Sequence, residues 1–151
     1  TNGVQSQDLI GRKTIKCGGA FIAEYITEIR DFANSLDTDL NFIKDATLDA
    51  ATEIEAITQF IIEQAAENVD FPNAAAVDYL SAVGLLSFAY MFAKIAAAAK
   101  DKSGDFYQNK LALAQYFVDR ILPELDSRLA KIKAGSDLIM NFSEDYFTNQ
   151  A

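Results

Sequence analysis

Histidine and tryptophan are missing from this chain of 151 residues, and cysteine occurs once. Without histidine, a Ser-His-Asp triad, a histidine-ligated zinc site and the Glu-x-x-His di-iron site of ferritin-like bundles are excluded. The single thiol, Cys17, cannot form an internal disulfide, and no histidine is present to activate it as a nucleophile. The printed sequence shows no signal-peptide pattern, so we expect a reducing, cytoplasmic compartment.

Positive charge is also scarce. The 13 lysines and arginines stand against 22 aspartates and glutamates, which gives a net charge of −9. A nucleic-acid partner needs a basic face, and an anionic lipid surface repels an acidic protein, so we expect neither partner. Half of the residues are apolar, which is enough for one domain with a real core. We expect no bound metal ion, since no ligand motif is visible.

Glycine and proline are few, so helices can run long before they are interrupted. Apolar residues recur at alternating steps of three and four, the spacing of one helix face. They predict four helices, over about residues 19–36, 39–69, 72–100 and 105–134. Asp37 or Thr38 is a suitable N-cap for the second, and Gly135 a suitable C-cap for the fourth. The predicted fold class is all-α: an antiparallel up-down four-helix bundle with an N-terminal helical extension.

The residue pattern of each helix predicts further details of the packing. In the second helix the apolar stripe consists of Leu40, Ile43, Thr47, Ala50, Ile54, Ile57 and Ile61. The stripe of the fourth helix continues through Pro123, which predicts one kinked helix and not two separate ones. The third helix is apolar nearly all round and should be central and buried, with Val83, Phe88 and Phe92 inside. Gly84 in its middle predicts the close approach of a neighbouring helix.

The third helix is too short in its uncharged part to cross a bilayer. Residues 79–93 carry no charge, which corresponds to about 22 Å of helix at a rise of 1.5 Å per residue. A bilayer core is about 30 Å thick, so no membrane span is expected.

Gly18-Gly19 predicts a flexible joint, and the chain then divides into three parts. Residues 1–17 form a helical segment and linker, residues 18–135 the bundle, and residues 136–151 a C-terminal tail. Separate from the bundle, both ends would expose apolar side chains: Val4, Leu9 and Ile10 at one end and Phe142, Tyr146 and Phe147 at the other. Exposed apolar patches usually find a partner, so we expect a homo-oligomer, most simply a symmetric dimer.

The first thirteen residues carry a resemblance to a known family. They read Thr1-Asn2-Gly3-Val4-Gln5 and end with Asp8-Leu9-Ile10-Gly11-Arg12-Lys13. This run resembles the segment that directly follows the catalytic glutamate in acyl-CoA dehydrogenases, where a Tyr-Glu-Gly-Thr stretch precedes a helix with glutamines. Thr1 matches the threonine, and Gln5 a following glutamine. Three later stretches are similar to the extra C-terminal helical domain of the subgroup of methylmercaptopropanoyl-CoA dehydrogenase: residues 73–86, Phe106 with Lys110 and Ala114, and Ile121-Leu122-Pro123.

The resemblance implies a piece of a longer FAD-dependent enzyme that oxidises acyl-CoA to 2,3-enoyl-CoA. In that enzyme a glutamate takes the α proton and the flavin receives the β hydride. That glutamate would lie just before Thr1, so no catalytic residue is expected in this chain, and the chain alone should be inactive and free of cofactor. Thr1 is the implied FAD contact, whereas Gly3 stands where many relatives have glutamine. The expected partners are the catalytic domain of the same polypeptide and, through it, the acyl-CoA substrate.

Two other interpretations stay open. In the first, Thr1 or Asn2 serves as a helix N-cap, which is compatible with a flavin contact. In the second, the whole chain is a stand-alone acidic helical-bundle interaction module without enzymatic activity. Arg120 and Arg128 are candidates for an acidic partner or a CoA phosphate. Lys94 is a candidate for a buried carboxylate or a lipid-like partner, although a lysine in an apolar helix more commonly reaches solvent at the helix rim.

Overall fold

A computed structural model describes residues 3–143 and 145–148. Every regular element in these residues is helical and none is a strand, which confirms the all-α class. The α-helices are α1 (Val4–Gln7), α2 (Ala20–Asn34), α3 (Asn41–Glu67), α4 (Phe71–Ala99), α5 (Asp105–Tyr116), α6 (Glu124–Lys133), α7 (Asp137–Met140) and α8 (Asp145–Thr148). Single 3₁₀ turns cover Ile15–Cys17 and Thr38–Leu40, and π-helical turns cover Asp8–Arg12 and Phe117–Ile121.

Helix α3 follows its sequence pattern closely. All seven residues of the predicted stripe, from Leu40 to Ile61, are buried. The acidic residues Asp45, Asp49 and Glu53 on the other side are exposed. An apolar stripe at this spacing can be buried only if the helix lies along a neighbour for its whole length, and α3 packs against both α2 and α4.

Helix α4 is the element that the other long helices contact. It runs in the same direction as α2, because Tyr25 lies beside Ser87 and Phe32 beside Tyr90. It runs opposite to α3, since the Phe60 and Phe71 rings are 5.7 Å apart while Thr58 contacts Tyr79. It also runs opposite to the last long segment, which places Phe117 beside Phe92 and Arg128 beside Asp78.

The segment α5–α6 keeps a helical backbone across Pro123. Leu122 and Pro123 both have right-handed helical dihedral angles. Proline has no amide hydrogen to donate, and the chain accommodates it with the π-helical turn, in which the Leu122 amide donates to the Phe117 carbonyl at 2.9 Å. The buried stripe continues through the irregularity with Phe117, Leu122, Leu125 and Leu129.

The predicted caps have different outcomes. Gly135 follows α6 with a φ of +75°, the left-handed conformation that ends helices at glycine. Asp37 precedes the 3₁₀ turn, but its side chain makes no capping hydrogen bond. Its carboxylate instead pairs with the Lys100 ammonium at the far end of α4.

Candidate functional site

The N-terminal segment lies against α4, which corrects the expectation that it is separable and unpacked. Ile10 is fully buried within the main core, and Leu9 packs against that core. Ser6 is buried as well, and its hydroxyl donates to the Gly3 carbonyl at 2.8 Å. Of its three apolar residues Val4, Leu9 and Ile10, Val4 stays largely exposed, at 62%. Residues 3–17 therefore have a packing surface within this chain.

The glycine pair makes the tight turn that directs this segment back onto the helices. Both residues have positive φ, +60° at Gly18 and +80° at Gly19. The Gly19 amide donates to the Thr14 carbonyl at 2.8 Å. A Cβ atom on Gly19 would lie 3.1 Å from the Ile62 side chain, whereas one on Gly18 would meet nothing within 4 Å. The pair forms a fixed turn and not the flexible joint that the sequence suggested.

A chain of buried hydroxyls connects this segment to α3 and α4. The Tyr79 hydroxyl lies 2.8 Å from the Thr58 hydroxyl and 3.5 Å from that of Thr14. Thr58 donates its one proton to the Ile54 carbonyl at 2.6 Å, so Tyr79 must be the donor to Thr58, and Thr14 the donor to Tyr79. Thr14 and Tyr79 are completely buried, and burial raises the pKa of Tyr79. Three elements are thus joined by one directed series of hydrogen bonds.

Several charged side chains are paired within the chain. Arg128, a candidate for an external acid or phosphate, contacts the Asp78 carboxylate at 2.9 Å. The Lys94 ammonium lies 3.9 Å from the centre of the Tyr90 ring, a cation–π contact at the surface. The Tyr90 hydroxyl in turn donates to Glu28 at 2.8 Å. Arg128 and Lys94 are therefore engaged in contacts inside this chain.

One side of α4 is not covered by the other residues that the structure describes. We call it the open face of α4, and it consists of Val77, Leu80, Ser81, Gly84, Phe88, Met91 and Ile95. Val77 is 60% exposed and Phe88 is 59% exposed, which corrects the expectation that α4 is buried all round. Val83 and Phe92 do pack against the core. A continuous apolar helix face of this length marks an interaction surface.

Gly84 lies in the middle of this face, and no contact with another described residue requires a glycine there. A Cβ atom at this position would have nothing within 4 Å, so the expected close neighbour is absent among the described residues. A glycine inside a helix costs about 1 kcal/mol relative to alanine. The packing of this chain does not explain that cost.

Helix α4 is also the one described helix long and apolar enough, by length and composition, to cross a membrane. Half of the relevant stretch is buried inside the protein, and the core helix of a soluble protein passes the same test. Its buried side packs against α3, α5 and α6. The packing supports the interpretation of α4 as a core helix with one open face.

The depression beside the N-terminal segment does not fit FAD. The surface depression beside the N-terminal segment is lined by Gly18, Gly19, Glu55 and Thr58 among others, and by no cation. A flavin pyrophosphate needs free amide donors or cations, whereas the Gly19 amide is already donated and Glu55 is acidic. Thr1, the implied FAD contact, lies outside the described residues. In the part of the chain that the structure describes, no three His, Cys, Asp or Glu side chains are grouped to hold a metal ion.

Comparison with known proteins gives two findings. A family sequence model described as "Acetyl-CoA dehydrogenase C-terminal like" matches residues 25–143. The broad-specificity linear acyl-CoA dehydrogenase FadE5 of Mycobacterium tuberculosis is 28% identical over 163 aligned residues. That alignment covers 97% of this chain but 27% of FadE5, so the chain spans about a quarter of its relative. With more than half of its residues matched, the chain belongs to the acetyl-CoA dehydrogenase C-terminal-like family.

Proposed function

We propose that this chain is the C-terminal helical domain of an FAD-dependent acyl-CoA dehydrogenase and that it anchors the segment which leaves the catalytic domain. The longer enzyme would oxidise acyl-CoA to 2,3-enoyl-CoA, with FAD accepting the hydride. Its base would be the glutamate just before Thr1, and Thr1 would contact the flavin. The family match and the relative's name support this assignment.

The observation that carries the anchoring role is the packing of residues 3–17. This segment, which resembles the one after the catalytic glutamate, inserts Ile10 into the core and ties Thr14 to Tyr79. A chain end that is fixed in this way holds the residues before it in a defined position, and small displacements at a catalytic centre are costly. The helices would thus hold in place the segment that leaves the catalytic domain, without contacting the substrate.

The finer architecture belongs to the same proposal. We infer an antiparallel up-down four-helix bundle made of α2, α3, α4 and the α5–α6 segment, with residues 3–17 as its extension. The alternating directions of these segments support it. We propose that the longer enzyme is cytoplasmic and has no membrane span. We also propose that it belongs to the methylmercaptopropanoyl-CoA dehydrogenase subgroup.

A direct experiment compares this chain with the complete polypeptide encoded by its gene. Both are purified, inspected for flavin absorbance, and assayed for dye reduction with linear acyl-CoA substrates. We expect a yellow, active complete protein and a colourless, inactive chain of 151 residues, because the base and the flavin domain lie upstream. Bound flavin in the short chain would contradict the proposal.

The alternative is a stand-alone acidic interaction module. The open face of α4 favours an interaction role of some kind, but it is compatible with both functions. The gene sequence before Thr1 separates them: a Tyr-Glu-Gly stretch behind a flavoprotein domain is expected for the dehydrogenase, and its absence would favour the module.

A further inference from the structure

Two lysine side chains meet at one depression near the C-terminal end of α4. The depression has a volume of about 190 Å³ and lies where the chain turns from α4 into α5. Its lining combines three aliphatic residues of α4, which lie between Ile95 and Ala99, with Lys102, Phe106, Tyr107 and Lys110. We call it the Lys102–Lys110 pocket. Of these residues, only Ile95 also belongs to the open face of α4.

A tight turn and one face of α5 bring these groups together. The Lys102 amide donates to a carbonyl at the end of α4 at 3.0 Å, and Gly104 takes a φ of +107°, so the chain reverses its direction here. Phe106 and Lys110 are four residues apart in α5 and therefore share a side of that helix. Ala114, four residues further on, is completely buried among alanines of α4. It fixes the side of α5 that faces the pocket.

The aromatic rings hold the two ammonium groups beside the pocket. The Lys102 ammonium lies 5.0 Å from the centre of the Tyr107 ring, and the Lys110 ammonium lies 5.2 Å from that of the Phe106 ring. The two rings contact each other edge to face, with their centres 5.2 Å apart. A ring face attracts the charge of an ammonium but does not use up its three hydrogen-bond donors. Both lysines therefore keep donors for a ligand.

Neither of these lysines forms an ion pair with a described carboxylate. In this turn it is Lys100 that pairs with the carboxylates, those of Asp37 and Asp101. Asp105, in the first turn of α5, is exposed and does not line the pocket. In a chain with a net charge of −9, two cations without an acidic partner create a local positive region. Such a region attracts anions.

We propose that the Lys102–Lys110 pocket binds a small organic anion that carries one apolar ring. The anion accepts hydrogen bonds from the ammonium groups, which are stronger than neutral ones. The ring contacts the Phe106 side chain, which is 65% exposed, and Ile95. A cavity of about 150 Å³ holds a benzene molecule, so the volume suits one ring and not a drug-sized ligand. The inference depends on residues 95–110 and does not rest on the proposed dehydrogenase.

An NMR titration of the isotope-labelled chain tests the class of ligand. Phenylpropionate and phenyl phosphate should both shift the backbone amides of residues 95–110, with dissociation constants in the millimolar range that such small ligands reach. Phenylpropanamide has the ring without the charge, and acetate has the charge without the ring. Each should bind at least about threefold more weakly than phenylpropionate. A neutral amide that bound as tightly as the carboxylate would overturn the inference.

Lysine variants test the site itself. Lys110→Met keeps most of the aliphatic side chain and removes the charge, so it should raise the dissociation constant of phenylpropionate about two- to fivefold. Adding Lys102→Met should raise it about tenfold in total. Lys133→Met, at an exposed lysine at the end of α6, changes the net charge equally and should leave the constant unchanged.

Circular dichroism shows that each variant is folded before it is titrated. A double lysine variant that bound phenylpropionate as tightly as Lys133→Met would overturn the inference. Amide shifts centred on the open face of α4, and not on residues 95–110, would also overturn it, because the ligand would then recognise exposed apolar surface without the two lysines.

Discussion

Removing one oxygen atom from the buried hydroxyl chain should destabilise the protein measurably. Tyr79→Phe keeps the ring in the core but deletes the donor to Thr58 and the acceptor for Thr14. Thr58 keeps its bond to the Ile54 carbonyl. The change therefore costs one good hydrogen bond, about 1 kcal/mol. The Thr14 contact is long at 3.5 Å, so its loss adds at most about 1 kcal/mol. We expect a loss of about 1–2 kcal/mol in the free energy of unfolding.

Urea denaturation followed by circular dichroism measures this loss. Tyr116→Phe is the matched control, because Tyr116 is 56% exposed and should change stability by less than about 0.5 kcal/mol. The double variant Thr14→Val with Tyr79→Phe removes the unsatisfied donor as well, so it should recover part of the loss. A Tyr79→Phe variant as stable as the control, or strictly additive effects in the double variant, would refute the directed hydrogen-bond chain.

Three further predictions concern the core, the turn and the surface charges. Leu86→Ala should lower the free energy of unfolding by about 2–5 kcal/mol, measured by denaturation, because Leu86 is fully buried; a loss below about 1 kcal/mol would contradict its place in the core. Gly19→Ala should destabilise more than Gly18→Ala, because both need positive φ at a cost of about 1–2 kcal/mol but only the new Cβ atom at position 19 would lie 3.1 Å from the Ile62 side chain; the opposite order would be inconsistent with the turn. The hydrogen bond from Lys100, and then its charge, lowers the pKa of Asp37 below 3.8, so the stabilisation by this pair is present above pH 3.8 and is lost as the pH falls through the lower folded-state pKa. The loss of stability caused by Asp37→Asn should therefore become smaller as the pH falls through that range. A loss that became larger on acidification would contradict this prediction.

The long helices were predictable because the spacing of their apolar residues determines which side of each helix is buried. In α3, six residues at alternating steps leave one possible buried side, and the structure buries all six together with Leu40 just before the helix. In α4 the sequence could not reveal which side is open, because a helix that is apolar all round has no polar face to mark the solvent. Phe88 therefore looked like a core residue, although it is more than half exposed.

The features of the candidate site could not be predicted, because they depend on contacts between residues that are far apart in the sequence. Gly18-Gly19 looked like a joint because composition does not distinguish a mobile glycine pair from one fixed at positive φ by a hydrogen bond to Thr14. The contact of Tyr79 with Thr14 joins positions 65 residues apart and leaves no local signal. A fully buried tyrosine inside an apolar helix could have suggested a hydroxyl partner, but not which one.

The anchoring of the N-terminal segment is tested most directly in the complete polypeptide, by the temperature at which flavin is released. Ile10→Ala removes the buried side chain that fixes the segment, and Val4→Ala removes a largely exposed one from the same segment. We predict that Ile10→Ala lowers the release temperature and that Val4→Ala leaves it unchanged. The same release temperature for both variants and the unmodified enzyme would contradict the account, as would a complete polypeptide that carries no flavin.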